Sequence, residues 1–134
     1  MILGLISDIH ANLNSLKMAL DILAGQKVDK ILCAGDLVEK GPDGDAVVQL
    51  LLERDIPCVL GNHDEAAPSN QQWLREKCDL NHPNVRTRLL NETTIVYLET
   101  LPFSLRFSFE NKRILLVQRL PTNSRHFGGG LPHY

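Results

Sequence analysis

Three short polar motifs in this sequence carry the residue types that bind metal ions. Each motif follows a short apolar run, and together they supply carboxylate, imidazole and side-chain amide groups. Such a mixture of oxygen and nitrogen ligands suits Mn, Fe, Zn, Ni or Co and does not choose among them. The motifs are Asp8-Ile9-His10, Gly35-Asp36 and Gly61-Asn62-His63-Asp64.

The spacing within the motifs predicts ligands for two ions. Asp8 and His10 alternate along what we expect to be an extended chain, so both side chains would share one face and reach a first ion. Asp36 could bridge two ions with its two oxygens, and Asn62 offers a neutral oxygen to the second ion. Two ions about 3.5–4 Å apart acidify a bridging water and clamp phosphoryl oxygens during in-line attack. The pattern therefore predicts metal-dependent hydrolysis of a phosphoester.

Other side chains are candidates for contact with the substrate. His63 could face the phosphate as a hydrogen-bond donor or as general acid to the leaving group, and we predict that Asn62 and His63 both bind substrate. Trp73 could stack on a substrate ring, although packing within its own segment is the simpler interpretation. Lys40 could contact a phosphate, although a solvated lysine is the simpler interpretation.

The apolar runs before the motifs predict a parallel sheet. They are short and nearly continuous, as in strands buried on both faces, and segments of helical periodicity separate them. Alternating strands and helices form βαβ units, and ligands bind beyond the carboxyl ends of such strands. All three motifs would therefore meet at one edge of the sheet. The predicted strands are residues 2–6, 30–34 and 57–60, and the predicted helices are residues 13–25, capped by Asn12, and 45–54.

The second half of the chain predicts a surface excursion followed by a hairpin. Residues 65–91 are polar and contain Pro68, so we expect only short helices there. Apolar and polar residues alternate near residue 107, and an apolar run follows a turn, which predicts a hairpin that begins a second sheet. The predicted helices are residues 70–78, 85–90 and one capped by Asn91, and the predicted strands are residues 105–109 and 113–117.

The composition restricts the class of protein. The chain has 134 residues and a formal net charge of -2, so nothing favours binding to nucleic acid or to an anionic membrane. No apolar run approaches the roughly 20 residues of a membrane span, and residues 1–6 lack the basic lead of a signal peptide. Three widely spaced cysteines argue against a disulfide framework. We expect one cytoplasmic domain of α/β class.

The motifs and their surroundings resemble the calcineurin-like metallophosphoesterase family. Asp-x-His, Gly-Asp and Gly-Asn-His-Asp stand in the family's order, and Gly41-Pro42-Asp43 is similar to the small bacterial branch. That branch contains phosphodiesterases and relatives of the symmetrical diadenosine tetraphosphatases. The resemblance implies an αββα sandwich and two divalent metal ions.

The resemblance also implies a role for each motif residue. Asp8 and His10 would bind the first metal, Asp36 would bridge, and Asn62 would bind the second metal. His63 would be catalytic, with Asp64 as a second catalytic residue that orients it.

The resemblance covers residues 1–117 and departs from the family after them. The family supplies later histidines, one in a His-Gly pair after a strand and two in a Gly-His-x-His segment. This sequence has Gln118-Arg119-Leu120-Pro121 where family members often have His-Gly-Ser-Pro. One inserted base turns the codons CAC GGC TCC CCC into CAA CGG CTC CCC, which encode Gln-Arg-Leu-Pro. We therefore expect a C-terminally truncated domain at residues 1–117, an incomplete second sheet, and an irregular, out-of-frame tail at residues 118–134.

Two functions are compatible with these residues. The first is hydrolysis of a small phosphomonoester or phosphodiester by a metal-activated water, without a covalent intermediate. The second is an inactive fragment that binds metal weakly or serves only as an association module, because exposed apolar faces and unpaired strand edges favour homo-oligomers. His126 and His133 could substitute as ligands, but a Gly-rich tail is a poor scaffold. The net charge disfavours nucleic-acid binding without chemistry.

Overall fold

The structure, a computed structural model, describes residues 1–119. The predictions for residues 120–134, including those for His126 and His133, lie outside the described residues. Strands and helices alternate in the first half, and a hairpin follows a group of helices in the second. The elements are β1 (Leu3–Ile6), α1 (Leu13–Gly25), β2 (Lys30–Cys33), α2 (Gly44–Glu53), α3 (Asn62–Lys77), α4 (Pro83–Arg86), α5 (Glu92–Thr100), β3 (Ser104–Phe109) and β4 (Lys112–Val117).

The first sheet is parallel, as predicted. Strands β1 and β2 pair from Leu3 opposite Lys30 to Ile6 opposite Cys33. The third predicted strand, residues 57–60, contributes only one parallel bridge, between Cys33 and Cys58. The pairing ends there because the amide of Leu60, two residues after Cys58, donates to the carbonyl of Pro102 at 2.8 Å.

Helices cover one face of this sheet. The Asn12 side chain caps α1 by accepting from the amide of Ser15 at 3.0 Å, as its position in the sequence predicts. Helix α1 buries Leu16 and Leu20, which lie one turn apart on the same side. These leucines share the larger core cluster with residues of α2, α5 and the sheet. Those partners include Ile6, Cys33, Val47, Val48, Leu51 and Leu98.

The hairpin covers the other face. Strands β3 and β4 pair antiparallel from Ser104 opposite Val117, and the two turn residues Glu110 and Asn111 have positive φ. A second core cluster joins Leu116 of the hairpin to the first sheet, at Leu32, Ala34 and Val59. The layers are therefore helix, sheet, sheet. The predicted α/β class is confirmed, and the second sheet of the described chain has only two strands.

One expectation about the first sheet is wrong. We expected strands buried on both faces, but the side chain of Leu5 in β1 is 61% exposed. The hairpin packs on Leu3, two residues earlier on the same face of the sheet, and leaves Leu5 uncovered.

The excursion is more helical than its composition indicates. Helix α3 begins at Asn62, eight residues before the predicted helix at residues 70–78, and continues through Pro68. The carboxylate of Asp64 at the third helical position accepts from the amide of Gly61, which is the reciprocal half of a capping box. The helix predicted at residues 85–90 is instead the short α4. No helix within residues 1–119 is both long and apolar enough to cross a membrane.

Candidate metal centre

The first motif lies in a left-handed loop rather than an extended chain. Asp8, His10 and Ala11 have φ of 57°, 48° and 57°, so the predicted alternation of Asp8 and His10 along a strand is wrong. Two backbone bonds hold the loop on the neighbouring strand end, because the amides of Asp8 and His10 donate to the carbonyls of Gly35 and Asp36, each at 3.0 Å. The two side chains still meet, with Asp8 Oδ1 3.4 Å from His10 Nε2.

Backbone strain is concentrated around this site. Among residues 1–119, ten residues other than glycine have positive φ, and six of them lie in the loops after β1 and β2. Conformations of this kind cost energy and gather at functional sites in proteins. The six residues are Asp8, His10, Ala11, Asp36, Glu39 and Lys40.

Three side chains form a compact set of metal-ligand groups. Ligand atoms of His10, Asp36 and His63 all lie within 4.8 Å of one another. The two imidazole rings meet edge to face, with centroids 5.0 Å apart. The set contains two predicted metal ligands, together with His63, which we predicted as catalytic. Asn62, predicted as a ligand of the second ion, is exposed at the start of α3.

Asp36 lies at the middle of the site and is only 2% exposed. Its Oδ1 accepts from the amide of His63, and its Oδ2 accepts from Nε2 of Gln118, both at 3.0 Å. Gly61 packs against the same carboxylate so closely that a Cβ there would lie 2.2 Å from Oδ1. The glycine before Asn62 is therefore required by close approach to Asp36, as its position in the motif indicates.

Asp64 is fully buried and binds backbone amides. Its Oδ1 accepts from Leu37 at 2.8 Å, and its Oδ2 accepts from Asp36 at 2.8 Å and from Gly61 at 3.0 Å. Burial raises the pKa of this carboxyl, and the backbone amides oppose that shift. The carboxylate thus joins the loop after β2 to the start of α3.

The side chain that contacts the His63 ring is Glu39, which the motifs did not indicate. Glu39 Oε2 lies 3.2 Å from Nδ1 of His63, whereas the oxygens of Asp64, for which we expected this contact, accept from backbone amides. The side-chain amide of Asn70 donates to the other Glu39 oxygen. The only sequence signal for Glu39 is its place in the loop three residues after Asp36.

Asp8 lies at the open rim of the site. Its side chain is 56% exposed, and its Oδ2 accepts from the hydroxyl of Ser7 at 2.6 Å. That hydrogen bond is the main reason why the pKa of Asp8 lies below its ordinary value. Asp8 therefore supplies a charged carboxylate beside the buried group.

Two buried atoms indicate that the site suits a cation. His10 Nδ1 and Gln118 Oε1 are buried and have no hydrogen-bond partner among residues 1–119. Buried polar atoms of native proteins almost always have a protein, water or ion partner. A carboxylate with two imidazoles is also a donor set that binds divalent transition metals. The residues present therefore fit a divalent metal ion.

The chain matches a known protein family over most of its length. Residues 1–126 match the sequence profile of the family described as calcineurin-like phosphoesterase. The chain belongs to that family. Solved structures of metallophosphoesterases share the fold of this chain, which confirms the fold class predicted from the resemblance.

Similar proteins come from several organisms. An uncharacterized protein of Methanocaldococcus jannaschii, MJ0912, is 25% identical over 98% of this chain and 55% of its own length. A symmetrical bis(5'-nucleosyl)-tetraphosphatase of Wigglesworthia glossinidia brevipalpis is 43% identical over 45% of this chain and 23% of its own. The crystal structure of a metallophosphoesterase from Sphaerobacter thermophilus superposes with a TM-score of 0.57 and 33% identity, covering 77% of this chain and 42% of that one. The chain spans about half the length, or less, of the curated relatives it matches.

Proposed function

We propose that this chain hydrolyses a small phosphomonoester or phosphodiester by means of a metal-activated water. The observation that carries the proposal is the cluster of His10, Asp36 and His63, whose ligand atoms lie within 4.8 Å of one another. Membership of a phosphoesterase family supports the same reaction class. The tetraphosphatase relative, whose name describes a dinucleotide polyphosphate substrate, supports a small phosphoester as the partner.

The ligands that we propose are those that the motifs predict, and two of them, His10 and Asp36, belong to the cluster. Asp8, His10 and Asp36 would hold a first divalent ion, and Asp36 with Asn62 would hold a second. When bound, the ions supply an acidified water and neutralise charge on the phosphoryl oxygens. The donor set is compatible with Mn, Fe, Zn, Ni or Co.

Protein side chains would position the proton that the leaving group needs. A carboxylate that accepts from Nδ1 of a histidine fixes the proton there, and Glu39 Oε2 lies 3.2 Å from Nδ1 of His63. Nε2 of His63 then remains to contact the phosphate, and in the protonated imidazolium it can donate to the leaving oxygen. Asn62, exposed beside it, would bind the same phosphate. We propose Asp64 as a positioning residue, because its oxygens accept from backbone amides.

Gln118 favours a second candidate function. The side-chain amide of Gln118, rather than an imidazole, contacts Asp36. Its Nε2 donates to Oδ2 of that carboxylate at 3.0 Å. An amide oxygen is a weaker ligand than an imidazole for the metals named above, so the site could bind one ion weakly and lack turnover. In that case the chain would be an inactive, metal-binding or association module. Homo-oligomerisation and a cytoplasmic location stay predictions in either case.

Turnover of a generic substrate separates the two candidates. The test measures Mn²⁺-dependent hydrolysis of p-nitrophenyl phosphate and bis(p-nitrophenyl) phosphate by the full chain, by Asp36→Asn and by Asp21→Asn. Asp21 is an exposed aspartate on α1 and serves as the matched control. We expect Asp36→Asn to lose at least about 100-fold in rate, and Asp21→Asn to match the unmodified chain. Equal rates in all three would refute the proposed site, and turnover gained only in Gln118→His would support the inactive candidate.

A further inference from the structure

A cavity of about 360 Å³ lies directly beside the metal centre. This volume falls in the range of about 300–1,000 Å³ that small-molecule sites occupy. Helix α3, the loop after β2 and the segment after α4 enclose the cavity. Its walls include Glu39, Lys40, Asn70, Trp73, Arg88 and Leu90.

Glu39 joins the cavity to the metal centre. One of its oxygens contacts Nδ1 of His63, and the other accepts from the side chain of Asn70 within the cavity wall. Ala11, the residue after His10, also lines the cavity. A ligand whose phosphate lies at the metal centre could therefore extend into the cavity without leaving the protein surface.

Trp73 presents an aromatic surface to this space. It is the only tryptophan in the sequence, and it is 58% exposed, so the expectation that it packs within its own segment is largely wrong. The wall beside it is held in place by Gln71, whose side chain donates to the carbonyl of Arg88 at 2.7 Å and accepts from the amide of Leu90 at 2.8 Å. A rigid wall with an exposed indole suits a flat ring.

Two cations complete the lining. Lys40 and Arg88 both border the cavity, and neither forms an ion pair within residues 1–119. The one acidic side chain of the lining, Glu39, already contacts His63 and Asn70, so the cavity carries one net positive formal charge in a chain whose formal net charge is -2. Such side chains attract phosphate, and a guanidinium also stacks on aromatic rings.

We propose that this cavity binds the nucleoside part of a nucleotide substrate, with the base against Trp73 and Arg88 and the phosphate near Lys40. The inference rests on the proposed function, because the hydrolytic site proposed there places the phosphate at the end of the cavity next to the metal centre. It adds the class of leaving group, a nucleoside, and the residues that select it. A sugar phosphate without a base would leave the indole and the guanidinium without their planar partner.

The single tryptophan allows a direct test that needs no turnover. Trp73 fluorescence is excited at its red edge, where adenine does not absorb, and AMP or ribose 5-phosphate is added to the metal-stripped full chain. We expect saturable quenching by AMP and none by ribose 5-phosphate, since only AMP carries a ring that can stack on the indole.

Variants locate the site. Calorimetric AMP affinity should fall about tenfold or more in Trp73→Leu, less in Trp73→Phe, and several-fold in Arg88→Ala. Arg86→Ala, an exposed arginine of α4 outside the cavity lining, is the matched control and should bind AMP as the unmodified chain does. An AMP affinity that is unchanged in Trp73→Leu would overturn the inference. Equal fluorescence responses to AMP and ribose 5-phosphate would overturn it as well.

The outcomes also separate this inference from the proposed function. AMP quenching in a chain without Mn²⁺-dependent turnover would support the nucleoside site and contradict the hydrolytic function. Turnover of p-nitrophenyl esters without AMP quenching would support the hydrolytic function and overturn the proposed nucleoside site. Binding of AMP away from Trp73 would appear as calorimetric heat without quenching, and it would also overturn the inference.

Discussion

Asp36 is the residue through which the parts of the site are joined. One of its oxygens accepts from the first turn of α3, at His63, and the other accepts from Gln118 at the end of β4. Both donors are neutral groups, so the charge of the carboxylate remains to be balanced by a cation. The unpartnered atoms of His10 and Gln118 lie in the same site, which is why a divalent ion is the simplest group to complete it.

Asp64 differs from Asp36 because both of its oxygens accept from backbone amides. Leu37 and Asp36 donate to it from one loop and Gly61 from another, so the side chain holds the two loops in register. A side-chain amide in its place would set an N–H group against N–H donors. Such a change leaves at least one buried donor unpaired.

We predict that Asp64→Asn lowers the free energy of unfolding by about 2–4 kcal/mol, since each unpaired buried donor costs about 1–3 kcal/mol. Urea unfolding of the full chain measures the loss, and Asp21→Asn should remain within about 0.5 kcal/mol of the unmodified chain. Unchanged stability together with lost turnover would instead favour the catalytic role that the sequence analysis gave to Asp64.

At the scale of single residues, the sequence predicts which side chains gather and misses how they do so. Motif order was sufficient to place His10, Asp36 and His63 together. It could not predict the positive φ of Asp8 and His10, because backbone bonds to a neighbouring loop impose those conformations. Glu39 was missed for the same reason, since only the left-handed turn of its own loop brings it to His63.

Among the elements, the start of α3 determines the geometry of the centre. The helix begins at Asn62 immediately after a glycine that touches Asp36, so the helix terminus and this candidate metal ligand are packed against each other. Any side chain at Gly61 must move Asp36 or the first turn of α3. Gly25 at the end of α1 has nothing within 4 Å of its Cβ position and provides the comparison.

We predict that Gly61→Ala destabilises the chain by about 1–3 kcal/mol and weakens Mn²⁺ binding, because the added methyl collides with the Asp36 carboxylate. Gly25→Ala should be neutral or stabilise by up to about 1 kcal/mol, because alanine loses less backbone entropy on folding. Urea midpoints of the two variants measure the difference. Equal midpoints would contradict the close packing of α3 against Asp36.

The elements that burial alone specifies were predictable. The apolar runs located β1 and β2, and the leucine spacing located α1, because one face of each must enter the core. The start of α3 was not predictable from its polar composition and Pro68, because its stability comes from the Asp64 cap and from tertiary contacts. The prediction of a third strand failed beyond one bridge because the amide of Leu60 donates to the carbonyl of Pro102, a partner 42 residues away along the chain.

In the whole molecule, side chains that follow both sheets meet at the site. Asp36 follows the first sheet and Gln118 follows the hairpin, and their hydrogen bond joins residues 82 positions apart. The packing of Leu116 on Leu32 and Val59 places the hairpin so that this contact can form. The candidate metal centre is therefore formed by the folded molecule and not by any one motif.

Whether Asp36 lies in a divalent-metal site is measured by calorimetric titration of the metal-stripped full chain with Mn²⁺, beside Asp36→Asn and Asp21→Asn. We predict saturable binding of at least one Mn²⁺ that Asp36→Asn abolishes and Asp21→Asn preserves, since the proposed ligand at the middle of the site is lost only in the first variant. Binding of Mn²⁺ by Asp36→Asn with the affinity of the unmodified chain, or no binding by the unmodified chain, would contradict it.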